Sequence, residues 1–295
     1  AVADRLAAGV NSITGSRSVF AALKDSGAVV TWGDPHCGGP CSVVADRLAA
    51  GVNSITRNEG AFAALKDTGE VVTWGHAARG GDCSVVADRL AAGVSSIAGS
   101  RSAFAALKDT GEVVTWGDDG NGADCSVVAE RLAAGVSSIT RSGHAFAALM
   151  NTGAVVTWGH AHWGGDCRAV ADRLAAGVIS ITGNEGAFAA LTDTGEVVSL
   201  GDAEDSGDCS AVADRLATGV SSITGNGFAL AALEAAGEVV TCGDAEHGGD
   251  CSAVAACLTK GISSIIGNGM AFAARRGSHL GAMLMVAVIA VVLQI

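Results

Sequence analysis

Apolar residues arrive along this chain in short blocks of two kinds. The first has helical spacing: residues 85–92 read Val-Val-Ala-Asp-Arg-Leu-Ala-Ala, preceded by Ser84, suited to an N-cap, and followed by Gly93, suited to the left-handed position past a last turn. A helix of about two turns is predicted there. The second kind is extended: residues 94–97 (VSSI), 103–109 (AFAALKD) and 112–116 (EVVTW) predict strands. The last two are joined across Asp109, Thr110 and Gly111, where the glycine supplies the positive φ of a hairpin loop. Ala103 to Leu107 are apolar at every position, so this strand must be covered on both faces.

The same blocks return every 42 residues without slippage. Trp32, Trp74, Trp116 and Trp158 share one position, with Leu200 and Cys242 as its fifth and sixth occupants. Gly9, Gly51, Gly93, Gly135, Gly177, Gly219 and Gly261 share another. Six units are complete; a seventh stops after AFAA near Ala274 and lacks the GEVVTWG strand. Sheets covered on both faces by copies of themselves, at a period of about 40 to 45 residues, predict a β-propeller. A linear solenoid is the runner-up, since leucine-rich units are shorter and helical repeats lack strands. The expected fold class is therefore mainly β: a seven-bladed propeller with a short helix per repeat and an incomplete last blade.

The string AFAALKDTGEVVTWG, preceded by VSSI and followed by a glycine-bearing loop, resembles the regulator of chromosome condensation repeat, which builds seven-bladed propellers. The resemblance covers residues 1 to about 274. WD-type propellers are less similar, because Gly75 or Gly117, and no aspartate, follows the tryptophan. The resemblance implies a protein-binding scaffold, with exchange factor for a small GTPase, ubiquitin-ligase module and inhibitor of secreted enzymes among the activities of related propellers. Fold alone does not fix function. The polar pair that often opens the family's middle strand is Ala61-Phe62 or Ala103-Phe104 here, and no catalytic residue is carried over.

Charge narrows the partners. The formal net charge of -12, with 30 acids against 18 bases, opposes binding to nucleic acid, whose phosphates are held by clustered Lys and Arg. The 42 glycines and two prolines suit many tight turns. The chain opens at Ala1 with no visible leader, which is read as an intracellular, cytoplasmic protein or a fragment.

The copies differ most in the loop after each Trp-Gly: DPHCGGP, HAARGGD, DDGNGAD, HAHWGGD, DAEDSGD and DAEHGGD. Variable loops on a rigid scaffold form a natural recognition surface. The candidate partner-binding residues are Asp34, His76, Asp118, His160, His162, Trp163, Asp202, Asp244 and His247. The competing reading, for these and for Asp82, Asp124, Asp166, Asp208 and Asp250 at the loop ends, is an Asx turn in which the carboxylate bonds its own backbone. Asp118 to Asp124 resembles the start of a calcium loop but has no Glu at the twelfth place. The His160-x-His162 pair lacks a third ligand nearby, and His36 with Cys37 and Cys41 is a weak metal cluster. No metal and no cofactor are expected.

Cys41, Cys83, Cys125, Cys167, Cys209 and Cys251 share one repeat position, too far apart between neighbouring blades for disulfides. They are expected to be small buried thiols, with Cys37, Cys242 and Cys257 as drift in a reducing compartment. Arg5, Arg47, Arg89, Arg131, Arg173 and Arg215 are also equivalent; the default expectation is that each pairs with an acid on the adjacent blade, and the alternative is a ring of guanidinium groups that grips an acidic partner. No recurring nucleophile, base and acid call for catalysis, so no enzyme is expected.

From Leu280 the chain changes to LGAMLMVAVIAVVLQI, uncharged and preceded by Arg275-Arg276. As a helix it would reach about 24 Å, short of the roughly 30 Å of a hydrocarbon core. Residues 275–295 are read as a tail with three alternatives: a membrane anchor, an apolar replacement for the missing part of blade seven, or a misjoined gene end. The reading of the whole is a non-enzymatic protein-interaction scaffold with an unidentified protein partner. The alternatives are an exchange factor or ligase module, and a tail-anchored membrane scaffold.

Overall fold

The computed structural model describes residues 2–39, 41–201 and 207–277 together with the strand Leu284–Ile289. Within them the repeat becomes seven three-stranded sheets, each with its strands side by side in chain order. The chain divides into two compact units, Ala1–Ala148 and Leu149–Ile295. In the third sheet, Val94–Gly99, Ala103–Lys108 and Val113–Gly117 run antiparallel. Its middle strand sets Ala106 between Ile97 and Val114. The first strand slips register between Val94 and Ser96, so Ser95 forms a bulge, and its hydroxyl donates to Leu107 O at 3.0 Å.

Alternate side chains of each middle strand face opposite neighbours, as the two-faced apolar run requires. In the second sheet Ala61, Ala63 and Leu65 pack with Phe104, Ala106 and Trp116 of the third. Phe62, Ala64 and Trp74 pack with Val19, Ala21 and Leu23 of the first. The second unit repeats the scheme, with Ala189 and Leu191 against Leu230 and Ala232. Phe62, Phe104 and Phe188 are fully buried, each contributing about 1.5–3 kcal/mol relative to exposure. Alanine at the intervening positions allows the close approach.

The predicted hairpin turn forms, with Gly111 at φ +77° and its N–H donating to Lys108 O at 2.8 Å. It also spaces the sheets. A Cβ on Gly111 would lie 2.6 Å from Gly135 N, and Gly111 O accepts from Val136 N at 3.1 Å.

The predicted short helix forms in the repeats, and what the structure adds is its type. Among the described residues only Val2–Leu6 is α-helical; the later copies are 3-10 segments such as Ser84–Leu90 and Ser126–Val128. Ser84 is not the cap, since Cys83 stands there without a side-chain bond. Instead Asp82 Oδ1 accepts from Ser84 N at 2.9 Å. A segment this short, with adjacent β-branched valines and its single buried side chain at Leu90, gains too little from helix propagation.

The arginine pairing is corrected too. Arg47, Arg89 and Arg173 pair with Glu70, Glu112 and Glu196 at 2.6 Å, each the glutamate 23 residues on in the same repeat, where no neighbouring blade is involved. Where Ala28 replaces that glutamate, Arg5 donates to Val29 O at 3.3 Å.

Cysteine behaves differently from the expectation in two ways. Cys209 and Cys242 form a disulfide, which removes the argument from cysteine usage for a reducing compartment. The equivalent thiols Cys41, Cys83, Cys125, Cys167 and Cys251 are half-buried, and Cys257 is exposed.

The seventh unit is incomplete as a repeat, yet its sheet gains a third strand from outside the repeat. Leu284–Ile289 pairs antiparallel with Phe272–Arg276, placing Ile289 opposite Phe272 as Trp116 stands opposite Phe104. Unpaired backbone along Phe272–Arg276 favours recruitment of such a β-prone segment. The membrane-helix reading is thereby corrected over Leu284–Ile289, and no helix among the described residues is long and apolar enough to cross a membrane. The rest of the tail lies outside the described residues.

Candidate interaction rim

Among the described residues, five variable loops leave their sheets through a Trp-Gly step or its equivalent, and each makes one 3-10 turn closed by a left-handed glycine. The turns are Pro35–Cys37, Ala77–Arg79, Asp119–Asn121, Ala161–Trp163 and Ala245–His247, closed by Gly38, Gly80, Gly122, Gly164 and Gly248 at φ +89° to +102°. One backbone clasp recurs: Gly39, Gly81, Ala123, Gly165 and Gly249 donate their N–H to the carbonyl of residues 34, 76, 118, 160 and 244 at 2.7–3.1 Å. The backbone is constant while its side chains differ. The closing glycine packs on the next sheet, since a Cβ on Gly80 would lie 2.7 Å from Phe104 Cδ2, and Trp116 Nε1 donates to Gly80 O at 3.0 Å.

Within these turns the structure brings together two sets of candidate residues, His162 with Trp163 and Asp244 with His247. Asp34 and Asp244 accept from the backbone N–H of His36 and Glu246 at 2.8 Å, the Asx geometry. Asp118 accepts from Asn121 Nδ2 at 2.6 Å. His76 and His160 make no side-chain cap bond and are exposed, as is His162, whose ring meets Trp163 edge-on at 6.4 Å. His247 Nδ1 lies 2.9 Å from Asp244 and its ring 4.5 Å from that of Phe228. Asp202 lies outside the described residues. At the loop ends Asp82, Asp124, Asp166, Asp208 and Asp250 all accept the backbone N–H two residues on. That bond and the following serine hydroxyl hold the carboxyls of Asp82, Asp124 and Asp250 below their ordinary range. Among the described residues no three His, Cys, Asp or Glu side chains are grouped to hold a metal ion.

Sequence reasoning missed the tight turns that join first and middle strands at this same end. Their anchor is the polar residue at one repeat position, Asn58, Ser100 and Asn226, spaced by multiples of 42 and buried in each case. Asn58 Oδ1 accepts from Gly60 N and Ala61 N at 2.9 and 2.8 Å, and Nδ2 donates to Arg79 O at 2.6 Å, tying turn to loop. Asn226 repeats this with His247 O, and Ser100 with Asn121 O. A small polar residue, Asn or Ser, recurring between two apolar strands was the available signal.

In the first unit these turns carry a polar chain. Glu59 accepts from Arg17 Nη2 at 3.1 Å and lies 3.3 Å from Arg79 Nη1 and from Arg101 Nε. Arg101 Nη1 is 3.3 Å from His144 Nε2, and His144 Nδ1 is 2.5 Å from Asn121 Oδ1. Because Asn121 Nδ2 already donates to Asp118, its Oδ1 is the acceptor, which places the His144 proton on Nδ1 and leaves Nε2 to accept from Arg101.

Among solved structures, yeast RCC1 (Prp20), from its complex with Kap60, is similar at 15% identity and a TM-score of 0.51, over 94% of this chain and 83% of that one. The fold is an RCC1-like, seven-bladed β-propeller. Prp20p of Saccharomyces cerevisiae, described with its binding properties to Gsp1p and histones, is similar at 17% identity and a TM-score of 0.49, over 83% of this chain and 74% of that one. The ectodomain of the Physcomitrella patens receptor kinase CR4 matches at 18% identity and 0.46 over 80% of this chain, which spans 62% of that ectodomain. No protein-family model and no curated protein matches the chain. The propeller's blades are the seven sheets, and where a buried Asn or Ser ties them, a sheet's turn and its loop lie at the same end of that sheet.

Proposed function

We propose that this propeller is a protein-interaction scaffold that presents its variable loops to a protein partner. The supporting observation is the recurring clasp: five loops share one hydrogen-bonded backbone frame while their exposed side chains range from Asp34 to His76 and His160. A fixed frame with changing side chains lowers the ordering cost of binding and leaves specificity to the side chains. The similar yeast propeller is itself seen bound to another protein, Kap60. The test is affinity capture with the intact chain and with a variant carrying His76→Ala, His160→Ala, Trp163→Ala and His247→Ala. The expected result is loss of the captured partner with an unchanged melting temperature; undiminished capture by the variant refutes the reading.

A further inference from the structure

We propose that the Arg17, Arg79 and Arg101 cluster around Glu59 is a docking site for an acidic peptide segment of a partner protein. The inference rests on the interaction reading above and names the chemistry of its partner in the first unit.

Three guanidinium groups surround one carboxylate, each within 3.1–3.3 Å. Three positive charges against one negative leave a local charge of two positive, on a chain whose net charge is -12. The arginines are 69%, 39% and 47% exposed, so their donors are not exhausted by Glu59: a guanidinium has five N–H groups in a fixed fork suited to carboxylates.

The cluster is held in place before any ligand arrives. Arg17, Glu59 and Arg101 occupy the same position in the turns of three successive sheets, and Glu59 N donates to Arg101 O at 3.2 Å while Arg101 N donates to Gly143 O at 2.7 Å. Asn58 pins Arg79 through its carbonyl. His144 restrains the far side of the Arg101 guanidinium. Glu59 keeps three like charges together, and an incoming carboxylate would add to that role.

Charge complementarity selects the occupant. A long polyphosphate would run beyond the cluster onto Asp34 and Asp118, whose N–H groups donate to Ser18 O and Ser102 O beside Arg17 and Arg101, whereas a short acidic peptide places its charges only where the arginines are.

The test is fluorescence polarisation with a labelled ten-residue peptide alternating Glu and Gly, beside its Gln counterpart and an oligodeoxynucleotide of equal charge. The protein is the full chain, its R17Q/R101Q variant and its E59Q variant, with melting temperatures recorded for each. The expected results are binding of the Glu peptide alone, about tenfold weaker binding by R17Q/R101Q, and tighter binding by E59Q, where the local charge rises. Equal binding of the Gln peptide, preference for the oligonucleotide, no binding, or indifference to R17Q/R101Q overturns the proposal. If E59Q or R17Q/R101Q unfolds, R17Q alone, at the most exposed arginine, must still weaken binding. Loss of capture by the loop variant together with failure of the peptide would leave the scaffold reading standing and reject this site.

Discussion

Cys242 is bonded to Cys209 with their Cα atoms 4.9 Å apart, and it stands where four other repeats carry tryptophan. The pairing follows from where that tryptophan points. Trp74 packs in one cluster with Cys41, and Trp116 in one with Cys83, in each case the cysteine 33 residues earlier. Changing the ring to a thiol at residue 242 therefore puts sulfur beside sulfur, joining the loop that enters the sixth sheet to that sheet's third strand.

The bond closes a 33-residue separation, so its loss should lower stability by about 2–4 kcal/mol. Denaturant unfolding with and without reductant checks this, and thiol titration of the unreduced chain should find seven free groups. Cys242→Trp should recover part of the loss seen in Cys242→Ala, because the ring refills the site beside Cys209. Equal losses for the two variants would count against the packing argument.

Two glycines with similar φ separate backbone strain from steric contact. Gly80 at φ +89° has Phe104 and Trp116 within 3.2 Å of an added Cβ, whereas Gly219 at φ +81° has nothing within 4 Å. Gly219→Ala should cost about 1 kcal/mol through the left-handed backbone alone. Gly80→Ala should cost more, about 2–3 kcal/mol, and shift the Trp116 emission. Denaturation curves rank them.

The loop-end carboxylates predict the shape of acid unfolding. Asp82, Asp124 and Asp250 are held below the ordinary value of 3.8 by hydrogen bonds to their ionised form. Their contribution is present above that value and lost as pH falls through the lowered ones. The denaturation midpoint should be unaffected by them from pH 7 to about 5 and fall below about 4. Replacing all three with Asn, which still accepts the backbone N–H but does not ionise, should flatten the acid limb.

Removing residues 278–295 deletes the strand that pairs with Phe272–Arg276 and uncovers backbone beside Phe272, now 1% exposed. The truncated chain should melt earlier and aggregate more readily than the intact one, as an open strand edge does. Light scattering during a thermal ramp measures both. A truncation with unchanged melting would remove the structural role assigned to this strand.

The 42-residue spacing, the hairpin at Gly111 and the two-faced apolar middle strand were legible from residue order, because strand periodicity and glycine chemistry are local. The loop-end Asx turns were legible for the same reason, as a carboxylate two residues before an N–H finds it without help from the fold. What tertiary structure alone decided lies between residues that are far from one another along the chain. The Asn58 bond to Arg79, the gathering of Arg17, Arg79 and Arg101 on Glu59, and the meeting of Cys209 with Cys242 depend on which faces adjoin once the sheets pack. The type of the short helices was decided for a related reason: their residues favour an α-helix only weakly over so few turns, and the burial of Leu90 between sheets, a property of the packing, settled their 3-10 shape.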